Sequence, residues 1–345
     1  MLTFEALLEQ IKNNNSEADI VIDPYVSNQK DIKALIEALA YNKSASSLQL
    51  GNIRDTQPNN QAEWCHKFDD DTALILANTL KQNKTLDTLN LEYNHFSLTA
   101  IQLLAKAIAV NTGLKKLFLS HNNLGYDEAN ALAEILRENN TLEQFYLAHN
   151  KIGDQGVTLL CKALNENKSN TSLQALGFSS NHIGIEGAKS LAETITINYT
   201  LKAVFLDKNH LSNQAAQILL DGVKQNNTLL ALSLNETGLV LLDAENIGKM
   251  LEKNTHLRVL DLDSNHLGPL GVEHIFKAFP KNTRLLQLSL SDNNIGIAGA
   301  KIIGKALSVN ANPSELNLVN NKIGYRGTRI LAQSLSRNTT LIGLD

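Results

Sequence analysis

The chain has 345 residues, 43% of them hydrophobic and 19% charged, with a net charge of -4. So mild a charge gives no electrostatic reason to expect a nucleic acid or an anionic membrane as partner. Two cysteines are too few for a disulfide framework and fit a reducing compartment.

The N-terminus, Met1-Leu2-Thr3-Phe4-Glu5-Ala6, lacks a basic stretch, and Glu5 and Glu9 interrupt its apolar run, so it is not read as a cleavable signal. No apolar stretch of about 18 residues is present to span a membrane. The chain is therefore expected in the cytoplasm. Leu7, Leu8 and Ile11 give Thr3 to Lys12 a helical apolar face, so residues 1–16 are expected to form an N-terminal capping helix. Residues 17–345 are expected to form one repeat array.

The array opens with two degenerate units, one through Ile20 and Ile22, the other through Leu48, Leu50 and Ile53. An irregular insertion follows at about residues 54–71, with Trp64, Cys65 and His66 inside it. It reads either as a surface loop with its tryptophan tucked against the flank, or as a binding loop. Regular units then start at Leu86, Leu114, Leu142, Leu173, Leu201, Leu229, Leu257, Leu285, Pro313 and Leu341. In each, the first leucine is position 1. Positions 4 and 6 are apolar, as in Leu89/Leu91 and Leu260/Leu262, and alternate with variable residues, the period of a short strand.

Position 9 is asparagine at 94, 122, 150, 181, 209, 265, 293 and 321, with Thr237 breaking the column. A buried amide is costly unless hydrogen-bonded, so these amides are expected to satisfy loop backbone of their own and the next repeat. Gly-x-x-Gly follows in five units, for example Gly153/Gly156 and Gly268/Gly271. It predicts a tight turn and close helix packing. A phosphate or RNA clamp is disfavoured, because the pattern recurs with the repeat and has no basic flank. An amphipathic helix comes next, such as Ala188, Leu191, Ala192 and Ile195. In the unit starting at Leu142, Cys161 takes a small core position in it. A second asparagine column (Asn83, Asn111, Asn139 and onward) is expected to cap these helices in the left-handed conformation. A strand followed by a crossover helix requires parallel pairing. Strands about 4.8 Å apart and helices about 8–10 Å apart predict a curved stack with strands on the concave side.

The unit Leu142-Glu-Gln-Phe145-Tyr-Leu147-Ala-His-Asn150-Lys-Ile152-Gly153-Asp-Gln-Gly156 resembles the ribonuclease-inhibitor-type leucine-rich repeat. The resemblance covers about residues 86–345, and 17–85 in degenerate form. It implies an α/β leucine-rich-repeat solenoid, a horseshoe with parallel strands on the concave face and helices on the convex face. It also implies a protein partner, with no cofactor and no nucleic acid. The family includes enzyme inhibitors, immune sensor domains, a GTPase-activating protein and bacterial effectors. The Asn, Lys and Ile-rich composition resembles that of effectors of intracellular bacteria, which would be delivered into a host cell.

In this repeat type positions 2, 3, 5, 7 and 8 face into the horseshoe. Position 5 reads Asn90, Phe118, Tyr146, Gly177, Phe205, Ser233, Asp261, Ser289, Asn317, and Tyr93 adds an aromatic at position 8. Clustered exposed aromatics are typical interface anchors, and Gly177 is expected to leave a notch between Tyr146 and Phe205 for a partner side chain. Lys115, Lys116, His121, His149, Lys202 and Lys208 surround the aromatics. Glu236, Asp261, Asp263, Asp292 and Glu315 follow, against Arg258. Such polarity would orient a partner. The expected contact residues are Tyr93, Phe118, His121, Tyr146, His149, Phe205, Lys208, Asp261 and Asp263. Paired histidines fall short of the three or four ligands that zinc requires, so no metal is expected.

The expected function is non-enzymatic recognition of a protein, either a host protein or another effector, by a monomeric scaffold. It could extend to inhibition of an enzyme. GTPase activation is the alternative, although the acidic tail usual in that branch is missing. The chain stops within a strand, at Leu341 to Asp345, so either it continues natively or that edge is exposed.

Overall fold

A computed structural model describes residues 4–22, 28–51, 68–309 and 313–345. Most of the insertion, including Trp64, Cys65 and His66, lies outside the described residues. The chain divides into two compact units, Met1–Gly177 and Phe178–Asp345.

The first unit alternates α1 (Phe4–Lys12), β1 (Asp19–Ile22), α2 (Gln29–Leu39), β2 (Ser47–Leu50), α3 (Asp70–Gln82), β3 (Thr88–Asn90), α4 (Leu98–Val110), β4 (Lys116–Phe118), α5 (Tyr126–Glu138), β5 (Gln144–Tyr146), α6 (Gly153–Glu166) and β6 (Ala175–Gly177). The second continues with α7 (Ile185–Ile197), β7 (Ala203–Phe205), α8 (Asn213–Gln225), β8 (Ala231–Ser233), α9 (Leu241–Lys253), β9 (Val259–Asp261), α10 (Gly268–Phe276), β10 (Gln287–Ser289), α11 (Gly296–Leu307), β11 (Glu315–Asn317), α12 (Gly324–Leu335) and β12 (Gly343–Leu344). Within each unit successive strands pair in parallel. The register is one repeat per strand, as Phe118↔Tyr146 in the first and Ser233↔Asp261 in the second.

The apolar positions do what their period predicts. Leu86, Leu89 and Leu91 are buried between the strands and the helices, and so are Leu257, Leu260 and Leu262. Helix faces such as Leu132, Ala133 and Leu136 close the core from the other side. Each core leucine contributes about 2–5 kcal/mol by the usual cost of truncation to alanine.

The position-9 amides form a ladder, but its direction reverses the expectation. Asn122 Nδ2 donates to Leu119 O of its own strand end (3.0 Å) and to Leu91 O of the preceding repeat (2.8 Å). Its Oδ1 accepts from Asn94 N, again in the preceding repeat (2.6 Å). Each amide thus completes the repeat before it, not the one after. Where Thr237 interrupts the column, its Oγ1 still donates to Leu234 O (2.7 Å), and Asn265 Oδ1 still accepts from Thr237 N (3.2 Å).

The second asparagine column also departs from expectation. Asn139 ends α5 with φ -78 and ψ 131, an extended rather than left-handed backbone. Its Nδ2 donates to Ile108 O and Asn111 O of the preceding repeat, while Oδ1 accepts from Thr141 N and Leu142 N. The extended backbone carries the chain straight into the next strand, and the side chain does the capping.

The Gly-x-x-Gly pair divides its tasks. Gly153 turns the chain at φ +62, and a Cβ on Gly156 would come within 3.0 Å of Ala129 Cβ on α5.

Candidate functional site

The exposed sheet face of the first unit carries two parallel columns of rings. Position 5 supplies Phe118 and Tyr146, both half-buried, with ring centroids 5.0 Å apart and planes 13° apart. Position 8 supplies Tyr93, His121 and His149, stacked at 4.2 and 4.1 Å with planes within 9° and 13°. The spacing is that of the parallel strands beneath, so in-register pairing builds the stacks. Small residues lie between the columns at position 7, Ser120 and Ala148.

Position 8 sits in the left-handed region. Tyr93 has φ 62, His121 φ 59 and His149 φ 53. Bulky side chains are rare there, whereas asparagine and glycine are cheap. In the second unit the same turn position holds Lys208, Glu236, Ser264, Asp292 and Asn320. The backbone demand is common to the repeats, but the rings are particular to the first unit.

Gly177 does not leave the expected notch beside Tyr146. The Tyr146 ring lies over it, with Cδ1 2.6 Å from where a Cβ would stand. Burial of this ring pushes the Tyr146 phenol pKa above its ordinary value. Acidic side chains stand among the lysines that surround the aromatics. Lys115 pairs with Glu143 at 3.4 Å, and Asp87 and Glu92 share the face.

In the second unit Phe205 is half-buried at the centre of β7. Exposed Lys208 pairs with Glu236 at 3.6 Å. Asp261 and Asp263 belong to a carboxylate cluster that also contains Asp207. Ser233 Oγ donates to Asp207 and lies 3.4 Å from Asp261 Oδ2. One hydroxyl proton cannot serve both carboxylates. Asp261 Oδ1 accepts from Asp263 N (2.9 Å), and Asp263 Oδ1 from Ser291 N (2.6 Å). Burial, with the charges of Asp263 and Asp207, raises the Asp261 pKa, against the opposing hydrogen bond from Asp263 N. Asp207 and Ser233 were not among the expected contact residues. Their signal was the placement of polar residues at positions 5 and 7 of adjacent repeats.

Among the described residues no group of three or more His, Cys, Asp or Glu could hold a metal ion. Among the same described residues no helix is long and apolar enough to cross a membrane.

A family model described as Leucine Rich repeat matches residues 138–161, 169–192, 253–276 and 281–304. The chain has the leucine-rich-repeat fold. An internalin from Listeria monocytogenes (inlF) shares this leucine-rich-repeat fold at TM-score 0.53 and 15% identity. The match covers 99% of this chain and 93% of that one. The Leiomodin-1 Actin-Binding Site 2 structure is 25% identical over 48% of this chain and 90% of that chain, at TM-score 0.38. The tropomodulin C-terminal domain of Caenorhabditis elegans is 16% identical over 45% and 92%, at TM-score 0.37. No curated protein matches the leucine-rich-repeat chain.

Proposed function

We propose that this leucine-rich-repeat protein is a non-enzymatic scaffold that recognises another protein through the exposed face of its strands. Leucine-rich-repeat proteins generally mediate protein–protein interaction. The observation that carries the reading here is the pair of ring columns in the first unit. Rings at Tyr93, His121 and His149 occupy a backbone conformation that disfavours them, and they line a face with no core to fill. Such side chains are what an interface selects. In the second unit, Phe205 beside a carboxylate-rich surface offers an aromatic anchor and a charge pattern for a basic segment of the partner.

We further propose that the repeats are of the ribonuclease-inhibitor type, which the 13-residue helices at a 28-residue spacing support. The setting we propose is that of a bacterial effector acting in the cytoplasm of a host cell, supported by the Asn, Lys and Ile-rich composition.

Affinity capture with identification of bound proteins by mass spectrometry tests the reading. The intact chain is compared with Phe118→Ala/Tyr146→Ala and, separately, with Phe205→Ala. A partner held by the intact chain and lost from the first-unit double variant, with its circular dichroism unchanged, is the expected result. Undiminished capture by both variants would remove the strand face as the contact surface.

A further inference from the structure

The helices of the second unit carry a pattern that the strand face does not explain. At the first turn of four successive helices an apolar side chain stands in solvent: Leu242 on α9 (55% exposed), Leu270 on α10 (55%), Ile297 on α11 (40%) and Tyr325 on α12 (83%). On α8 the corresponding residues are Asn213 and Gln214, and on α7 half-buried Ile185 stands beside exposed Glu186. Within the second unit the run of four exposed apolar side chains is therefore confined to α9 to α12.

One turn further along, the same four helices carry charge at a single repeat position. Glu245, Glu273, Lys301 and Arg329 occupy position 17 in order. On α8 that position is Gln217. The order is two acids followed by two bases, beside an apolar ridge running the same way. Reversed end to end, it reads as its own complement. A two-fold axis between α10 and α11 would set Glu245 against Arg329 of a second copy, and Glu273 against Lys301. Leu242 would then meet Tyr325, and Leu270 would meet Ile297. Closed two-fold contacts demand such self-complementarity.

The existing ion pairs do not pre-empt this arrangement. Glu245 pairs with Lys249 at 2.7 Å and Glu273 with Lys277 at 3.0 Å, both exposed pairs within one helix. Such pairs contribute little and can exchange partners. Among the described residues neither Lys301 nor Arg329 has an ion-pair partner, and both are exposed.

We infer that the α9–α12 rim is a homodimer interface, in which the ridges of two copies pack antiparallel and the position-17 charges pair across the two-fold axis. This departs from the monomer expected from sequence. It uses no residue of the strand face, so it stands or falls separately from the proposed function.

Sedimentation equilibrium of the full chain over a wide concentration range is the test. The intact chain should shift from the mass of one chain toward that of two as concentration rises. Leu242→Glu/Leu270→Glu should remain a monomer throughout, with unchanged circular dichroism. Glu245→Arg alone and Arg329→Glu alone should each weaken association at least tenfold, because each sets like charges together twice. An equimolar mixture of those two variants should associate as the intact chain does, since every pair in the mixed dimer is again opposite in sign. An intact chain that stays monomeric, a ridge variant that still dimerises, or a mixture that does not associate would each overturn the inference.

Discussion

The side-chain oxygen of Asn150 accepts two backbone protons, from Asn122 and from Leu124, both at 3.0 Å. Its amide nitrogen donates to Leu119 O and Leu147 O at 3.0 and 2.9 Å. Asn150→Ala would strand the N–H groups of Asn122 and Leu124 in a buried turn, while Leu119 O keeps its bond from Asn122 Nδ2. At about 1–3 kcal/mol for each orphaned group, partly relieved by entering water, the loss should be about 2–3 kcal/mol. Urea unfolding followed by circular dichroism measures it. A loss below about 1 kcal/mol would show that the ladder is not a principal tie between repeats.

His121 brings two opposed effects to one residue. Its left-handed backbone costs about 1–2 kcal/mol relative to a residue that tolerates it, and its two ring stacks return about 0.5–1.5 kcal/mol each if they behave as aromatic pairs. His121→Asn removes both, so stability should change by less than about 1 kcal/mol. Partner capture, by contrast, should weaken. A variant that binds as well as the intact chain would mean the rings are not there for contact.

Ser233 is the hydroxyl between Asp207 and Asp261. Its proton goes to Asp207, whose charge, after burial and the Asp263 charge, helps to raise the Asp261 pKa. Asp207→Asn should bring that pKa back toward the ordinary carboxylate range, as read by carboxyl-carbon NMR across a pH titration. A rise in the Asp261 pKa would contradict the assignment.

Asp243 is 1% exposed at the first turn of α9. Its Oδ2 accepts from Val240 N at 2.9 Å, while Oδ1 has no hydrogen-bond partner. Burial raises its pKa in the folded chain, outweighing the hydrogen bonds from the helix N-terminus. A raised folded pKa means the folded state binds the proton more tightly than the unfolded one. Stability should therefore rise as pH falls from the raised folded value to the unfolded value of about 3.9, and the penalty is fully present above that window. Asp243→Asn removes this dependence while keeping an oxygen for Val240. The stability difference between the two proteins, taken at pH steps from neutral to acidic, should shrink as pH drops. A difference that does not vary with pH would rule out the linkage.

The fold was legible because a fixed period repeats every constraint. Leu89 and Leu91 alone could be any short strand, but their recurrence with the position-9 asparagine and a following helix leaves one architecture. The position-5 column could be read for the same reason, since register places Phe118 beside Tyr146. What could not be read depends on rotamers and on backbone torsion. The Tyr93–His121–His149 stack requires three side chains to turn the same way from left-handed residues, and tyrosine and histidine give no cue for that conformation. The Gly177 notch failed because an absent side chain was counted as empty space, while the Tyr146 ring was free to lean into it. The helix-end asparagines were misjudged because asparagine is tolerant of left-handed backbone and equally able to cap through its amide. Only the geometry of the following strand decides between the two.

The one-way sense of the amide ladder bears on synthesis. As the polypeptide emerges from its N-terminal side, the turn of each finished repeat has bare N–H and C=O groups until the asparagine of its successor arrives. Assembly within a unit should then proceed like a zipper whose every tooth is locked by the next, and a translational pause should leave the newest turn as the part open to proteases.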